Sequence, residues 1–480
     1  MLRKENGSRI EPGMTVGKAG MTVGKAGMTA GRPGTTAGKR WLAALLALAM
    51  VCALALAGCG GGASGGGSGD TAGGSGDTTG GDSDSASVAV VPSGDTIKIG
   101  IVNPTTGPLA GFGEGSPWTE NIVVDYVNNE LGGIEVDGVK KPIEIILYDT
   151  ESNATRCTEL TQKLITEDKV DLIVVRHTPD TVNPAVAVCE RYEVPCISAD
   201  EPIDAFLPEG PFEWSFHAHW QLVDLYPQYL SLWDQAGFGP NTGAKVGYLF
   251  PSDADGFAWV DGFDTLEADG YTVVDPGRFP ADTTDYSDIV RQFKDANVNI
   301  VVGCVTNPAF STFWKQAKQL GFDPDVVSVG KAYLLQADAD AIGADLMDNL
   351  ECEVWWDKSR SYVSALTGLT PSAFAEKYQE ESGRNITPPM SSKFTTLEIA
   401  VDALTRAGTL DKEAIRDAIA QTDLDTIYGH IKYTPEHTSP IQMTGGQWQK
   451  QADGSLKLAV IDNSVATDLP TTGEYIPLKK

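Results

Sequence analysis

Apolar residues recur in two periods along this chain, and the alternation of those periods is its first structural signal. Ile97, Ile99 and Ile101 alternate with small or polar residues and run into Val102, the pattern of a largely buried strand. Asn103-Pro104 breaks that pattern, and the Gly-rich stretch 105–115 reads as a loop. From 117 the spacing of Ile122, Val123, Tyr126 and Val127 is that of an amphipathic helix, which Gly132-Gly133 stops. Strand, glycine-rich loop and helix make the first half of a βαβ unit, and in an open α/β sheet the loop after such a strand faces the ligand crevice.

The alternation continues. Strands are predicted over 141–148, 170–175 and 194–198, with helices over 155–168, 180–192 and 222–236. A second cycle predicts strands over 244–250, 271–274, 298–305, 325–329 and 350–355, with helices over 257–269, 286–296 and 309–320. Helices over 371–382, 391–407 and 411–421 follow, then a β-rich tail over 429–462. The fold class expected is α/β, with two lobes built on doubly wound parallel sheets and a ligand cleft between them.

Composition changes this picture mainly at the amino end. A chain of 480 residues with 41% hydrophobic content is long enough for two domains. Its formal charge of −29 is uneven: residues 1–58 carry 8 Lys+Arg and 2 Asp+Glu, which leaves 28 − 63 = −35 for the remainder. So acidic a body repels phosphate backbones, and nucleic acid is excluded as a partner. Near-repeats of MTVGKAG over 14–40 are Gly-rich and basic and predict no structure. Lys39-Arg40 then precedes an uncharged apolar run over 41–58, the form of an export signal, and an uncleaved membrane anchor is the competing reading. Its end, Leu56-Ala57-Gly58-Cys59, resembles the lipobox of bacterial lipoproteins, which makes Cys59 the expected lipidated residue. The Gly/Ser-rich segment 59–95 is a flexible tether with a reach of ~30–35 Å. The expected location is the outer face of the cytoplasmic membrane, held there by the lipid anchor.

From 96 to 462 the chain resembles the solute-binding lipoproteins of ABC transporters, in the leucine/isoleucine/valine-binding branch of type I periplasmic binding proteins. The resemblance is carried by IKIGIVNPTTGPLAGFGEG, VVDYVNNELGGI, PIEIILYDTESNATRCTELTQKLI, RYEVPCISAD, FSTFWKQAKQLGF and TTLEIAVDALTRAG, in that order. It implies two flavodoxin-like lobes joined by a three-crossing hinge. Lobe 1 is expected over 96–215 and 357–428, and lobe 2 over 216–356 and 429–475. It implies a monomer that captures a small solute and hands it to an ABC permease with its ATPase subunits, with no cofactor.

Carried over position by position, the resemblance places Thr106 in the Thr-Gly-Pro turn and Phe112 at an aromatic lid. His177 and Thr178 follow the third strand, with Pro179 removing an amide donor. Ser198 and Asp200 follow the fourth, where acids (Asp200, Glu201) stand in place of a Thr. In the second lobe Asp255 replaces a Tyr, Thr306 and Lys331 follow strands, and no acid occurs over 329–332 to grip an α-ammonium group. The amino-acid clamp is thus largely missing. A cationic or polyhydroxylated solute is expected, stacking on Phe112, Trp355 or Trp356, unless these acids point to solvent at the cleft rim.

Other constellations are weaker. His217 and His219 share a face if they lie on a strand, and with Glu213 and His177 they are candidate metal ligands; a hinge or cleft-lining role is favoured and no metal is assigned. With Cys52 in the signal and Cys59 lipidated, five cysteines remain, an odd number. Cys189 and Cys196 flank one helix-to-strand turn and form the easiest disulfide, with Cys304–Cys352 a second option. No GxSxG, GxxxxGK or HExxH motif is present, which disfavours a secreted hydrolase. Transport competes with a sensory receptor that would signal through a separate partner.

Overall fold

The computed structural model describes residues 96–479; the near-repeats, the apolar run, Cys59 and the tether lie outside the described residues. Two helix-covered sheets form two lobes. The first sheet runs, in spatial order, Thr438–Pro440, Ser215–His219, Cys196–Ala199, Leu172–Arg176, Ile97–Asn103 and Ile143–Asp149, with every neighbouring pair parallel. Ile99 lies between Ile145 and Leu172, and the isoleucines that opened the sequence pattern are buried in one apolar layer while Val102 is buried in the layer on the opposite face.

The second sheet is ordered Leu456–Asp462, Thr444–Lys450, Glu351–Val354, Val326–Gly330, Ile300–Cys304, Lys245–Leu249 and Thr272–Val274. Its core is parallel, and the β-rich tail adds two antiparallel strands at one edge. The helix Pro388–Ala407 starts on a proline at its first turn, where a missing N–H costs nothing, and buries nearly its whole circumference in the first lobe.

The chain crosses between the lobes after His219, after Val354 and after Pro440. Arg360 clamps two of these crossings together: its guanidinium donates to Val354 O and Gln442 O, both at 3.0 Å. Strand membership moves two expected boundaries. Residues 216–219 and 438–440 were assigned to lobe 2, yet both segments belong to the first sheet. They pair there with each other, and His217 N donates to His437 O at 2.9 Å. A hairpin, Ile134–Val136 with Val139–Lys141, precedes the strand predicted over 141–148, which runs Ile143–Asp149. Its turn, Asp137-Gly138, has φ of 52° and 79° at the two positions, the left-handed geometry that Asp-Gly favours.

The expected disulfides are absent among the described residues, where all five cysteines are free thiols. Cys189 and Cys196 are neighbours in the apolar layer on one face of the first sheet, packing as small hydrophobic groups. Cys304 and Cys352 lie on strands separated by Val326–Gly330, and two strand spacings of ~4.8 Å hold them too far apart to bond.

Candidate functional site

The carboxyl ends of the strands in both lobes converge on a small, partly open cavity of about 30 Å³, room for one or two water molecules. The first lobe contributes Phe112, Thr178, Asp200, Pro202 and His219. The second contributes Asp255, Trp259, Cys304, Lys331, Leu334 and Glu353, while Trp220 and Trp355 come from the crossings. The backbone reaches this cavity in unusual conformations. His177, Thr178, Asp200 and Lys331 have φ of 74°, 65°, 64° and 65°, a region that costs a non-glycine residue energy and that clusters at binding sites. These turns are held by cross-bonds: Thr178 N donates to Asp200 O at 2.8 Å and His177 N to Ala199 O at 3.2 Å.

Asp200 is the polar centre of the first-lobe wall. Ser392 Oγ donates to its Oδ2 at 2.6 Å and Tyr428 Oη to its Oδ1 at 3.4 Å. His177 Nδ1 lies 2.8 Å from Oδ2 without hydrogen-bond alignment, and His219 Nδ1 lies 3.9 Å from Oδ1. Burial raises the Asp200 carboxyl, opposed by His219, Ser392 and the charges of Lys393 and Arg176. Burial also holds the nearby imidazoles neutral, His217 at about 4 and His219 at about 3.

Beneath this wall Arg176 pairs with Glu120 at 2.7 Å, both fully buried, and also donates to Thr396 Oγ1 and Lys393 O. Lys393 Nζ donates to Phe112 O at 2.6 Å and Glu114 O at 2.9 Å, anchoring the loop that presents Phe112. Burial brings that amine down to about 7.

In the second lobe Asp255 Oδ2 accepts from Lys331 Nζ at 2.7 Å, and Asp180 of the first lobe approaches the same ammonium at 3.9 Å. Asp253 caps the helix Ala254–Gly262 by accepting from Gly256 N, so this helix begins three residues before the predicted start. Glu353 accepts from Tyr229 Oη at 2.8 Å, and burial raises its carboxyl to about 7. Gly330 is required for room: a Cβ there would sit 2.7 Å from Trp259 Cη2 and 2.8 Å from Glu353 Oε1.

Of the expected contacts, Phe112, Thr178, Asp200, Asp255, Lys331 and Trp355 meet in the cavity. The acids do not point to solvent at a rim: Asp200 is 5% and Asp255 3% exposed. Four expected contacts lie elsewhere. Thr106 is exposed, and its hydroxyl donates to Asp149 Oδ2 at 2.8 Å. Ser198 Oγ is shared between His217 Nδ1 and Phe216 O behind the cavity. His177 is buried beneath Phe112, and Thr306 is the half-buried residue before the helix Asn307–Gln319.

Trp220, Trp259 and Glu353 were not anticipated, whereas His219 lines the cavity, one of the roles expected for it. Trp356 packs instead, donating its N–H to Ile427 O at 2.8 Å. His217 and His219 do share a strand face, with ring centroids 6.5 Å apart, but their nitrogens bond Glu201 O, Ser198 and Tyr428. Glu213 is drawn off to Arg416, and among the described residues no group of three ligands is placed to hold a metal.

Four groups on the cavity lining have no partner among the described residues: Thr178 Oγ1 and the indole Nε1 of Trp220, Trp259 and Trp355. Unpaired buried donors are uncommon in folded proteins, and these four gather where the two lobes meet.

Comparison with known proteins agrees with this architecture. The periplasmic binding protein family model matches residues 96–453. A Leu/Ile/Val-binding protein homologue of Brucella abortus is 25% identical, over 79% of this chain and 94% of its own length. LivJ of Streptococcus pneumoniae, solved with isoleucine, superposes with a TM-score of 0.64 at 21% identity, covering 76% of this chain and 99% of that one. A Rhodopseudomonas palustris ABC-transporter solute-binding protein, solved with 4-hydroxybenzoate, gives 0.62 at 18% identity, covering 80% and 98%. With the family model spanning most of its length and two lobes closing on one cavity, the chain belongs to the periplasmic binding protein family.

Proposed function

We propose that this protein is the extracytoplasmic solute-binding component of an ABC importer. It closes its lobes on a small polar solute and delivers that solute to a membrane permease with its ATPase subunits, working as a monomer and without chemistry. The observation that carries this reading is the small cavity built from both lobes, whose lining residues include donors unpaired among the described residues. Lobe closure about three crossings is a known way to couple ligand capture to a change of shape. Cys59, after Leu56-Ala57-Gly58, is the proposed lipid attachment, which would hold the protein at the outer face of the cytoplasmic membrane. Labelled fatty acid should enter the wild-type chain in its native host and not a Cys59→Ala variant; equal labelling would refute the anchor.

The ligand is not a standard branched-chain amino acid. Lys331 projects into the cavity where an α-ammonium group would need an acid, and Asp255 is already engaged by that lysine. The full chain in detergent, unfolded thermally against amino acids, amides, urea, polyamines, quaternary amines and sugars, tests both statements. A ligand at 100 times its dissociation constant adds ~2.7 kcal/mol of stability. A shift with leucine or valine overturns the ligand assignment, and no shift with any small solute speaks against a binding protein.

A further inference from the structure

Resting on the solute-binding reading, we infer that the cavity takes an uncharged polyhydroxylated ring. Its walls are aromatic, formed by Phe112, Trp220, Trp259 and Trp355, which suit the C–H face of a ring. The polar groups on those walls divide into two sets. The donors without partners are the Thr178 hydroxyl and three indole N–H groups, and an indole nitrogen can only donate. The acceptors are the carboxyl oxygens of Asp200, Asp255 and Glu353.

A hydroxyl group answers both sets at once, because it accepts from an indole and donates to a carboxylate. An ammonium or quaternary amine satisfies only the carboxylates and leaves every indole unpaired. A carboxylate ligand satisfies the indoles but adds negative charge to a site holding three acids and one lysine, itself bonded to Asp255. An α-amino acid brings its ammonium group against Lys331. The present cavity is too small for a six-membered ring, so the ligand enters an opened form and the lobes close less tightly over it.

The test titrates the full chain in detergent, followed by intrinsic tryptophan fluorescence and calorimetry. Myo-inositol and glucose represent saturated-ring polyols, and catechol and pyrogallol aromatic ones; choline, leucine and 4-hydroxybenzoate are the charged competitors. Saturable binding by at least one polyol is expected, and the two polyol arms identify the ring type. Trp355→Phe keeps an aromatic face, though a smaller one, and removes the N–H, so it should weaken that binding by about tenfold. Asp200→Asn, which substitutes one acceptor oxygen with a donor, should weaken it comparably, and unliganded melting of each variant reports folding. Binding of leucine, choline or 4-hydroxybenzoate with no polyol binding overturns the inference while leaving the importer reading intact. A polyol affinity unchanged in both folded variants also overturns it, whereas no binding by any compound counts against both.

Discussion

Replacing Arg176 by methionine isolates the energetics beneath the site. Arg176 and Glu120 are each completely buried inside the first lobe, so lobe opening cannot hydrate a partner left alone. Removing one member of such a pair costs ~3–5 kcal/mol, because the survivor is an uncompensated buried charge. Glu120 has little else to turn to: among the described residues Oε2 has no partner, and Arg176 is the only donor to Oε1. Burial already raises its carboxyl, with Arg176 the strongest opposing influence, so the variant should raise it further and drive Glu120 to keep its proton.

The sign follows from linkage. Above the ordinary carboxyl value of ~4.3 the folded variant holds a proton that the unfolded chain has released, so stability falls as pH rises, by up to ~1.4 kcal/mol per pH unit. Urea unfolding followed by far-ultraviolet circular dichroism, from about pH 5 to about pH 8, reads both effects at constant m-value. Arg176→Met should be least damaging at the acid end, and adding Glu120→Gln should abolish the extra slope. A cost below ~1 kcal/mol, or one that does not change with pH, would refute the buried-charge account.

Two further outcomes follow from neighbouring groups. Lys393, brought down to about 7 by burial, is neutral in the folded protein above that pH while an unfolded lysine stays charged to ~10.4. The unfolded chain then binds the extra proton, so wild-type stability should gain with pH between about 7 and about 10 relative to Lys393→Met; parallel profiles by the same denaturation assay would count against it. Gly330→Ala would push a methyl group against Trp259 and Glu353, at a cost of ~1–3 kcal/mol for overpacking, and should blunt ligand-induced stabilisation. Calorimetry showing full wild-type affinity in that variant would show that the cavity wall yields.

The parallel strands were legible because each is a short β-branched run between turn residues, as in Leu172–Arg176 and Ile300–Cys304. What escaped was decided by partners distant in sequence. Nothing local assigns Ser215–His219 or Thr438–Pro440 to the first sheet; the ladder of the former with Cys196–Ala199, and of the latter with the former, does. The hairpin at Asp137-Gly138 was readable from its turn, but its strands are only three residues long and too short to show a period.

The site divides in the same way. Thr178, Asp200, Asp255 and Lys331 were nominated by the family resemblance, which puts ligand contacts in the loops after strands, and each does follow a strand in its own lobe. Trp220, Trp259 and Glu353 become cavity walls only when the two lobes approach. Hydroxyls were the misleading signal: Asp149 captures Thr106 and His217 captures Ser198, so a hydroxyl after a strand identifies a binding group only if no nearer polar partner claims it.

The same competition governs charge, and it changes what the ligand must be. Read along the sequence, Asp255 is an acid available to a ligand, and Lys331 is the place where an acid is missing. In the folded protein these are one feature, an ion pair at 2.7 Å that spends both charges on each other. Asp200 on the opposite wall is likewise occupied by Ser392 and Tyr428. A solute carrying a full charge would have to break one of these arrangements and leave a buried charge behind. A hydroxyl can join either carboxylate as one more donor, and the lone pairs it retains can accept from the indole N–H groups that none of the described residues has claimed.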